Sequence, residues 1–387
     1  MMTKRAWLGV LALAGVVACD SAGEDKSADT GLTTSPGQTT ATGTEGADTD
    51  DAAESTTGGA SGGTSSTGTP EPPIDPPVVF DFGAFPDVGA FCGAPNPVSC
   101  DNEDDDPWHA MGLNCPGGPQ VEVSPFSGRP DQLHVHAGEF GNAGAFPPRE
   151  GEKMVILSSG AASQWVSTVG GTISTEYDDG FGPGQTDLPA PMTRTPVSAT
   201  ETCADNPALV GTGDCSNTVD VQYAQGGSAY DIAFMSFSAE VPANTFGFTY
   251  DFAFLSVEYP AWYQSAFNDM YVAWLESEAW TGNISFDEFG SPISLNAGFL
   301  DFKDVPGGTF NDPECAGGCT APELHGTAVQ GHAATRWLTT NAPVVPGETI
   351  GVYFTIFDLA DSQLDSGVLL DNWLWTCEGG PPVTIPG

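Results

Sequence analysis

The stretch TFGFTYDFAFLSV, residues 245–257, decides the fold class of this chain. Its aromatic rings alternate with small or polar neighbours, which is the two-residue period of a half-buried strand. A helix would scatter the same rings around its axis instead of aligning them. The pattern therefore predicts a β-strand with one aromatic face.

Three more segments of the same half predict inner strands, because β-branched and aromatic residues dominate them and turn residues separate them. They are MYVAWL (270–275), TIGVYFTIFD (349–358) and GVLLDNWLW (367–375). Their nearly continuous apolarity predicts burial on both faces, with Trp373 and Trp375 in the core. Since 49 Gly and 32 Pro disfavour long helices, we predict an all-β fold: an antiparallel β-sandwich of jelly-roll type with long loops.

The amino terminus predicts export. Lys4 and Arg5 precede an apolar run, 6–18, that is too short to span a bilayer and has the layout of a secretory signal. Val-Val-Ala before Cys19 looks like a bacterial lipobox, so we predict a lipoprotein signal peptide over 1–18 and lipidation of Cys19. The alternative is an ordinary signal peptide that is cut nearby.

Composition divides the rest of the chain into a tether and a domain. Residues 19–74 are mainly Ser, Thr, Gly, Ala, Asp and Pro, which cannot bury enough surface to offset the entropy of ordering. We expect a disordered tether there and a β-sandwich domain over 75–387. The predicted location is the cell envelope, lipid-anchored at the outer membrane or cell surface.

The charge excludes one class of partner. The chain has 51 acidic and only 9 basic side chains, a formal net charge of −42. Such a surface repels nucleic acid and anionic lipid, so we exclude nucleic acid and expect membrane contact through the lipid anchor only. It suits cations, neutral glycans or basic partners, or it simply keeps a surface protein soluble.

Eight cysteines remain after Cys19, and an even number behind an export signal predicts disulfides. They are Cys92, Cys100, Cys115, Cys203, Cys215, Cys315, Cys319 and Cys377. Spacing does not fix the pairing, although short loops favour Cys203 with Cys215 and Cys315 with Cys319. Zinc bound by the last two cysteines with His325 and His332 is the alternative, but the spacing fits no structural zinc motif.

Carboxylates at the ends of predicted strands form the candidate metal site. Because like charges repel unless a cation or donors hold them, we predict a calcium site at one rim of the sandwich. The candidate ligands are Glu258, Asp269, Asp358, Asp361, Asp365 and Asp371. The competing interpretation is local capping, in which Asp365 caps a turn and Asp371 binds backbone amides.

Two other groups are weaker candidates for metal binding. The acidic run 101–106 alternates oxygen ligands, but it lacks the glycine and the glutamate that an EF-hand requires. His134 and His136 would lie on one face of a strand, where they could hold a transition metal with a third ligand. Ordinary surface roles are the alternative for both groups.

The sequence has no nucleophile elbow, zinc-protease helix or phosphate loop, so we expect a non-catalytic module. The alternative function is a polysaccharide hydrolase that uses Glu258 and Asp269 as a carboxylate pair. For ligand binding, Trp262 and Trp280 lie beside turns, where an exposed ring could stack on a sugar. The expected partner is a glycan or a protein on another cell surface.

Short blocks of sequence also carry a resemblance to a known family. Glu258-Tyr259-Pro260, Phe267-Asn268-Asp269 and the run 365–372 occur in the order and spacing of the choice-of-anchor L domain, a family of bacterial surface domains. The segment 99–118 resembles the opening of the version found in myxobacterial lipoproteins, so the match spans about 99–377. The resemblance implies a surface-displayed β-sandwich with no known catalytic residues. A longer, cysteine-rich insertion at 309–326 departs from the family pattern.

Overall fold

The computed structural model of the chain describes residues 92–167, 184–308 and 311–387. The chain divides into two units, Met1–Glu71 and Pro72–Gly387, and all the described residues belong to the second. The predicted signal peptide, the lipidation of Cys19 and the tether over 19–74 lie outside the described residues, so they remain predictions.

Strands make up almost all of the regular secondary structure of the described residues. The four predicted strands are all present, whereas the long strand Ala229–Glu240 was not predicted from the sequence. The strands are β1 (Glu122–Val123), β2 (Leu133–Ala137), β3 (Lys153–Ser158), β4 (Ala229–Glu240), β5 (Gly247–Ser256), β6 (Met270–Glu276), β7 (Thr281–Asn283), β8 (Ile293–Ser294), β9 (Phe302–Lys303), β10 (Ala333–Ala334), β11 (Leu338–Pro343), β12 (Thr349–Leu359), β13 (Ser366–Thr376) and β14 (Val383–Pro386). One α-helix, α1 (Val219–Gly226), and short 3₁₀ turns complete this part of the chain. The 3₁₀ turns are His109–Met111, Pro130–Gln132, Ala162–Gln164, Pro207–Leu209, Pro313–Cys315 and Pro322–Leu324.

The strands form two antiparallel sheets, which confirms the predicted fold class. One sheet has the order β1-β4-β12-β6-β7, with β8 paired to β6. The other has the order β14-β11-β5-β13-β3-β2, with β10 joined to β5 and β9. Consecutive long strands alternate between the sheets, since β4, β6 and β12 lie in the first and β5, β11 and β13 in the second.

Aromatic side chains of β5 fill the space between the sheets. Phe248, Tyr250, Phe252 and Phe254 are completely buried there, and Trp373 of β13 stacks on Phe248 with ring centroids 4.1 Å apart. Trp373 and Trp375 are both in this core, as predicted. Burying such rings contributes about 1.5–3 kcal/mol each relative to exposure, so this layer holds the sheets together.

The other face of β5 is buried as well, which the alternation alone did not predict. Ala253 and Leu255 pack in a second apolar cluster with Trp165 and Trp337, which come from segments outside the sandwich core. The small or aliphatic side chains on this face leave room for those covering segments. β5 is therefore an inner strand buried on both faces rather than a half-buried one.

The alternation between sheets brings two distant connections to one end of the sandwich. The connection from β5 to β6 (257–269) and the connection from β12 to β13 (360–365) both cross there, and Ser366 pairs with Ser256 at the same level. We call these two connections, with the strand ends that they join, the acidic end. The end of β13 at Thr376 lies at the opposite end of the sandwich.

Disulfides join all eight cysteines of the described residues. The pairs are Cys92–Cys377, Cys100–Cys115, Cys203–Cys215 and Cys315–Cys319. Both short pairs expected from the sequence are present, and the zinc alternative for Cys315 and Cys319 is wrong because each sulfur is bonded to the other. His325 instead contacts Asp304, and His332 contacts the Tyr259 carbonyl.

Candidate functional site

Four carboxylates that are far apart in sequence come together at the acidic end. Glu258 follows β5, Asp269 precedes β6, Asp358 lies near the end of β12 and Asp365 precedes β13. Each is at most 1% exposed. An acidic side chain is almost never fully buried unless it is paired, so a cluster of four needs a physical explanation.

Hydrogen bonds account for Asp269. One oxygen accepts from the Leu359 amide at 3.1 Å and the other from the Ser366 hydroxyl at 2.7 Å. The Asp269 amide in turn lies 3.5 Å from a carboxylate oxygen of Glu258. These contacts tie the start of β6 to β12, β13 and Glu258, so the group fixes how the two connections meet.

Asp358 lacks the hydrogen bonds that Asp269 has. It is buried, yet neither of its carboxylate oxygens has a hydrogen-bond partner among the described residues. Ser159 lies near enough to lower its pKa as a weak donor and Asp269 near enough to raise it, but neither contact has the distance and angles of an ordinary hydrogen bond. An unsatisfied buried charge costs several kcal/mol, so Asp358 must either bind a proton or face a cation.

Burial and neighbouring negative charges raise the pKa values of three carboxylates of the cluster. Burial raises the pKa of Asp358 well above its ordinary value, and the charges of Asp269 and Asp365 raise it further. Burial also raises the pKa of Glu258 and of Asp269, and in each case a neighbouring carboxylate adds to the effect. Burial and neighbouring carboxylates raise these pKa values, and only hydrogen bonds oppose them.

Serine hydroxyls and a glycine surround the cluster. The Ser366 Oγ also lies 2.9 Å from the Ser256 hydroxyl, and the Ser366 amide donates to the Ser159 hydroxyl at 3.0 Å. Gly160 lies directly against Asp365, because a Cβ at Gly160 would overlap the Asp365 carboxylate. Glycine is therefore required at 160 for Asp365 to occupy its buried position.

The connection 360–365 is held in an unfavourable backbone conformation. Ala360 and Leu364 have φ of 84° and 66°, in the left-handed region that non-glycine residues rarely adopt. Each such residue costs about 1 kcal/mol, so its surroundings must fix the conformation. Asp361 in the same connection is only partly buried and accepts a hydrogen bond from the Gln363 amide.

A comparison with known families identifies the domain that carries this cluster. The family model described as the choice-of-anchor L domain matches residues 117–373, which is most of the chain and includes all four carboxylates. The chain belongs to the choice-of-anchor L family. No curated protein and no solved structure matches it significantly.

Membership of the choice-of-anchor L family implies a cell-surface-anchored protein. In the part of the chain that the structure describes, no helix is both long and apolar enough to cross a membrane. How the domain is anchored, including the predicted lipid at Cys19, remains a prediction.

Asp371 is not part of the cluster, although the sequence analysis grouped it there. It is six residues beyond Asp365 on β13, roughly 20 Å along the strand. Its oxygens accept from the amides of Arg149 and Asn372, at 2.7 and 2.6 Å. The structure separates this residue from the other candidate calcium ligands, and the competing interpretation, binding to backbone amides, describes its contacts.

The acidic run 101–106 is used for local structure. Asp101 is buried and accepts from the amides of Glu152 and Lys153, each at 2.6 Å. Asp104 contacts the His109 ring, and Asp105 forms an ion pair with Lys153. These contacts give three aspartates of the run a structural role.

The other candidates for metal binding gain no further ligand. His134 and His136 lie on β2, where the pKa of His134 is lowered by burial and by His136. Within residues 92–167, 184–308 and 311–387, no three His, Cys, Asp or Glu side chains are already arranged as metal ligands. The carboxylates of the acidic end are therefore close, but they do not yet have coordination geometry.

The two tryptophans chosen from the sequence differ in exposure. Trp262 is 41% exposed in the connection 257–269, with its ring 4.8 Å from that of Phe267. Trp280 is only 2% exposed, and its indole donates to the Asn283 carbonyl, so the expectation that it is exposed was wrong. Trp280 directly precedes β7, the strand that pairs with the end of β6, and its side chain packs into the core.

Sequence reasoning missed two members of the acidic end. Asp231, in β4, is buried and raises the pKa of Asp358. Ser159 lies beyond β3, next to Ser366 and Asp358. Neither residue is near the other cluster members in sequence, and no motif marks either one, so only the packed sheets could reveal them.

Proposed function

We propose that this choice-of-anchor L domain is a non-catalytic binding module of the cell surface, in which calcium joins the carboxylates of the acidic end. The observation that carries the proposal is Asp358, a buried carboxylate with two unpartnered oxygens beside Asp269 and Asp365. Calcium takes six to eight oxygen ligands, and carboxylates with serine hydroxyls and carbonyls can supply them.

Binding would require the carboxylates to rotate toward a common point. Asp358 would lose no ordinary hydrogen bond on rotating, and Glu258 would lose only its contacts with Asp269. A divalent cation would replace the mutual repulsion of like charges with attraction. Affinity in the range of about 10⁻⁴ to 10⁻³ M is typical of extracellular modules.

The position of the cluster supports a role in ligand binding. The ion would connect 257–269 to 360–365 and so hold the connection that carries exposed Trp262. The polypeptide before Cys92 joins the domain at the opposite end, where Cys92 is bonded to Cys377 just after β13. The expected ligand of the acidic end is a glycan or a protein on another surface.

The hydrolase alternative has less support. Glu258 and Asp269 are each 1% exposed, so no polysaccharide can approach both of them in this arrangement. A glycosidase pair must flank the bond that it cleaves. The same two carboxylates are better explained as members of a buried ion site.

Thermal unfolding of the full chain tests the proposal. Calcium at about ten times its dissociation constant, on the order of 5 mM, should stabilise the domain by roughly 1.4 kcal/mol relative to excess EDTA. Asp358→Asn should abolish this difference. Asp371→Asn is the matched control, because it changes a buried aspartate of β13, outside the cluster, and should keep the calcium effect. No calcium effect on the parent chain would reject the proposal.

A further inference from the structure

A groove beside the carboxyl-terminal strand lies away from the acidic end. An open groove of about 550 Å³ lies between aromatic side chains of one segment, Trp280, Phe286 and Phe299, and the carboxyl-terminal segment 381–386. Strand β14, which forms that segment, is the last strand of the eight-stranded sheet and pairs only with β11 among the described residues. The groove therefore runs beside an open sheet edge.

Exposed apolar side chains concentrate around this groove. Val383 and Ile385 of β14 line it and are 46% and 53% exposed. Phe289, in the turn between the lining residues Glu288 and Gly290, is 79% exposed. These are three of the six large apolar side chains that are exposed among the described residues. Apolar surface next to an unpaired strand edge marks a docking site.

The chain itself has a segment suited to this groove. The described chain begins at Cys92, which is bonded to Cys377, four residues before the groove segment 381–386. Upstream lies VVFDFGAF, residues 78–85, in which Val78, Phe80 and Phe82 alternate as in a strand. Ten to twelve extended residues span up to about 35–40 Å, which is enough to reach the far end of β14.

We propose that residues 78–85 of this same chain dock along β14, with Phe80 and Phe82 in the groove. Tethering by the disulfide makes the segment a local ligand at an effective concentration on the order of millimolar, which an unattached partner would have to exceed. Docking covers Val383 and Ile385 and protects the sheet edge from other chains. It also fixes where the chain leaves the domain, independently of calcium at the acidic end.

Hydrogen exchange of the full chain tests this proposal at the backbone amides of 383–385. Phe82→Ser should speed their exchange about tenfold or more, because it removes an aromatic side chain from the groove. Val79→Ser is the matched control: it lies in the opposite phase of the same segment and should leave exchange nearly unchanged. Ile385→Ser, on the groove side, should speed the exchange of 79–84.

Each outcome decides the proposal. A separate peptide with the sequence of residues 78–85 should restore slow exchange in the Phe82→Ser chain at about millimolar concentration. Equal exchange in the parent and Phe82→Ser chains would overturn the proposal and leave the groove to a separate partner. Equal acceleration by Val79→Ser and Phe82→Ser would also overturn it, because the phase would then be irrelevant. The calcium effect should persist in all of these variants, which separates this test from that of the acidic end.

Discussion

Two buried aspartates of the same sandwich, Asp214 and Asp358, differ in the hydrogen bonds that their carboxylates accept. Asp214 accepts hydrogen bonds from the amide and hydroxyl of Ser216 and from the amides of Thr218, Val219 and Asn283, at 2.7–3.3 Å. Asp358 is equally buried and accepts none. Donors can stabilise a charge that burial alone would destabilise.

The comparison shows that burial of a carboxylate does not by itself indicate an ion site. Burial raises the pKa of both aspartates, but the donors around Asp214 lower its pKa again. Asp214 therefore stabilises a loop against α1 and β7, and it needs no ion to do so. The carboxylate oxygens of Asp358 have no such donors. This difference distinguishes an aspartate with a structural role from a candidate metal ligand.

The largest expected effect on stability comes from replacing Asp214, the hydrogen-bonded aspartate. Asp214→Ala should lower the free energy of unfolding by roughly 3–5 kcal/mol, because it leaves several buried amides without an acceptor. The loss should be the same in calcium and in EDTA, as measured by chemical denaturation. A loss that depends on calcium would remove the distinction between the two aspartates.

The pH dependence of stability should come from the raised pKa values. A carboxyl with a higher pKa in the folded chain stabilises it fully below the unfolded pKa of about 4, and that contribution is lost as pH rises through the folded value. Burial raises the pKa of Asp371 to about 8, and the cluster pKa values are raised too.

In EDTA, the free energy of unfolding should therefore fall between pH 4 and 8, by at most about 1.4 kcal/mol per pH unit for each group. Calcium should reduce the fall, because it favours the ionised cluster, and Asp371→Asn should remove the part due to Asp371. Denaturation at several pH values measures both effects. Stability that rises over this range would contradict the assignment.

Gly160→Ala should separate the geometry of the cluster from its charge. The added Cβ would overlap the Asp365 carboxylate, so we expect a loss of about 1–2 kcal/mol and a weaker calcium effect, although no charge has changed. Gly379→Ala is the matched control, because its Cβ would meet only ordinary contacts. Calcium titration followed by thermal unfolding distinguishes the two variants. An unchanged calcium affinity in Gly160→Ala would mean that Asp365 is not a ligand.

The smallest effect on stability should come from Trp262→Ala, within about 0.5 kcal/mol, because the ring is partly exposed. If neutral saccharides bind at the acidic end, the substitution should weaken retention on immobilised polysaccharide roughly threefold to tenfold. Trp280→Phe serves as the control for a buried indole. Retention that does not depend on Trp262 would favour a protein ligand instead.

Sequence alone was sufficient for the fold class and for four of the inner strands, but it did not predict the inner strands β3, β4 and β11. The predicted segments 245–257, 270–275, 349–358 and 367–375 match β5, β6, β12 and β13 to within two residues at each end. This succeeded because the alternation of side chains along a strand is a local property, set by the chain's own two-residue period. Short loops also favoured the Cys203–Cys215 and Cys315–Cys319 disulfides, although spacing did not fix the pairing.

Tertiary structure decided the candidate site. Asp365 and Asp371 look equivalent in sequence, yet one lies in the cluster and the other binds the Arg149 amide at a different level of β13. Asp231 joined the cluster without any local signal, and Trp280 turned inward. Which acids converge depends on which connections cross at the same end of two packed sheets, and that is set by long-range strand pairing that no local pattern records.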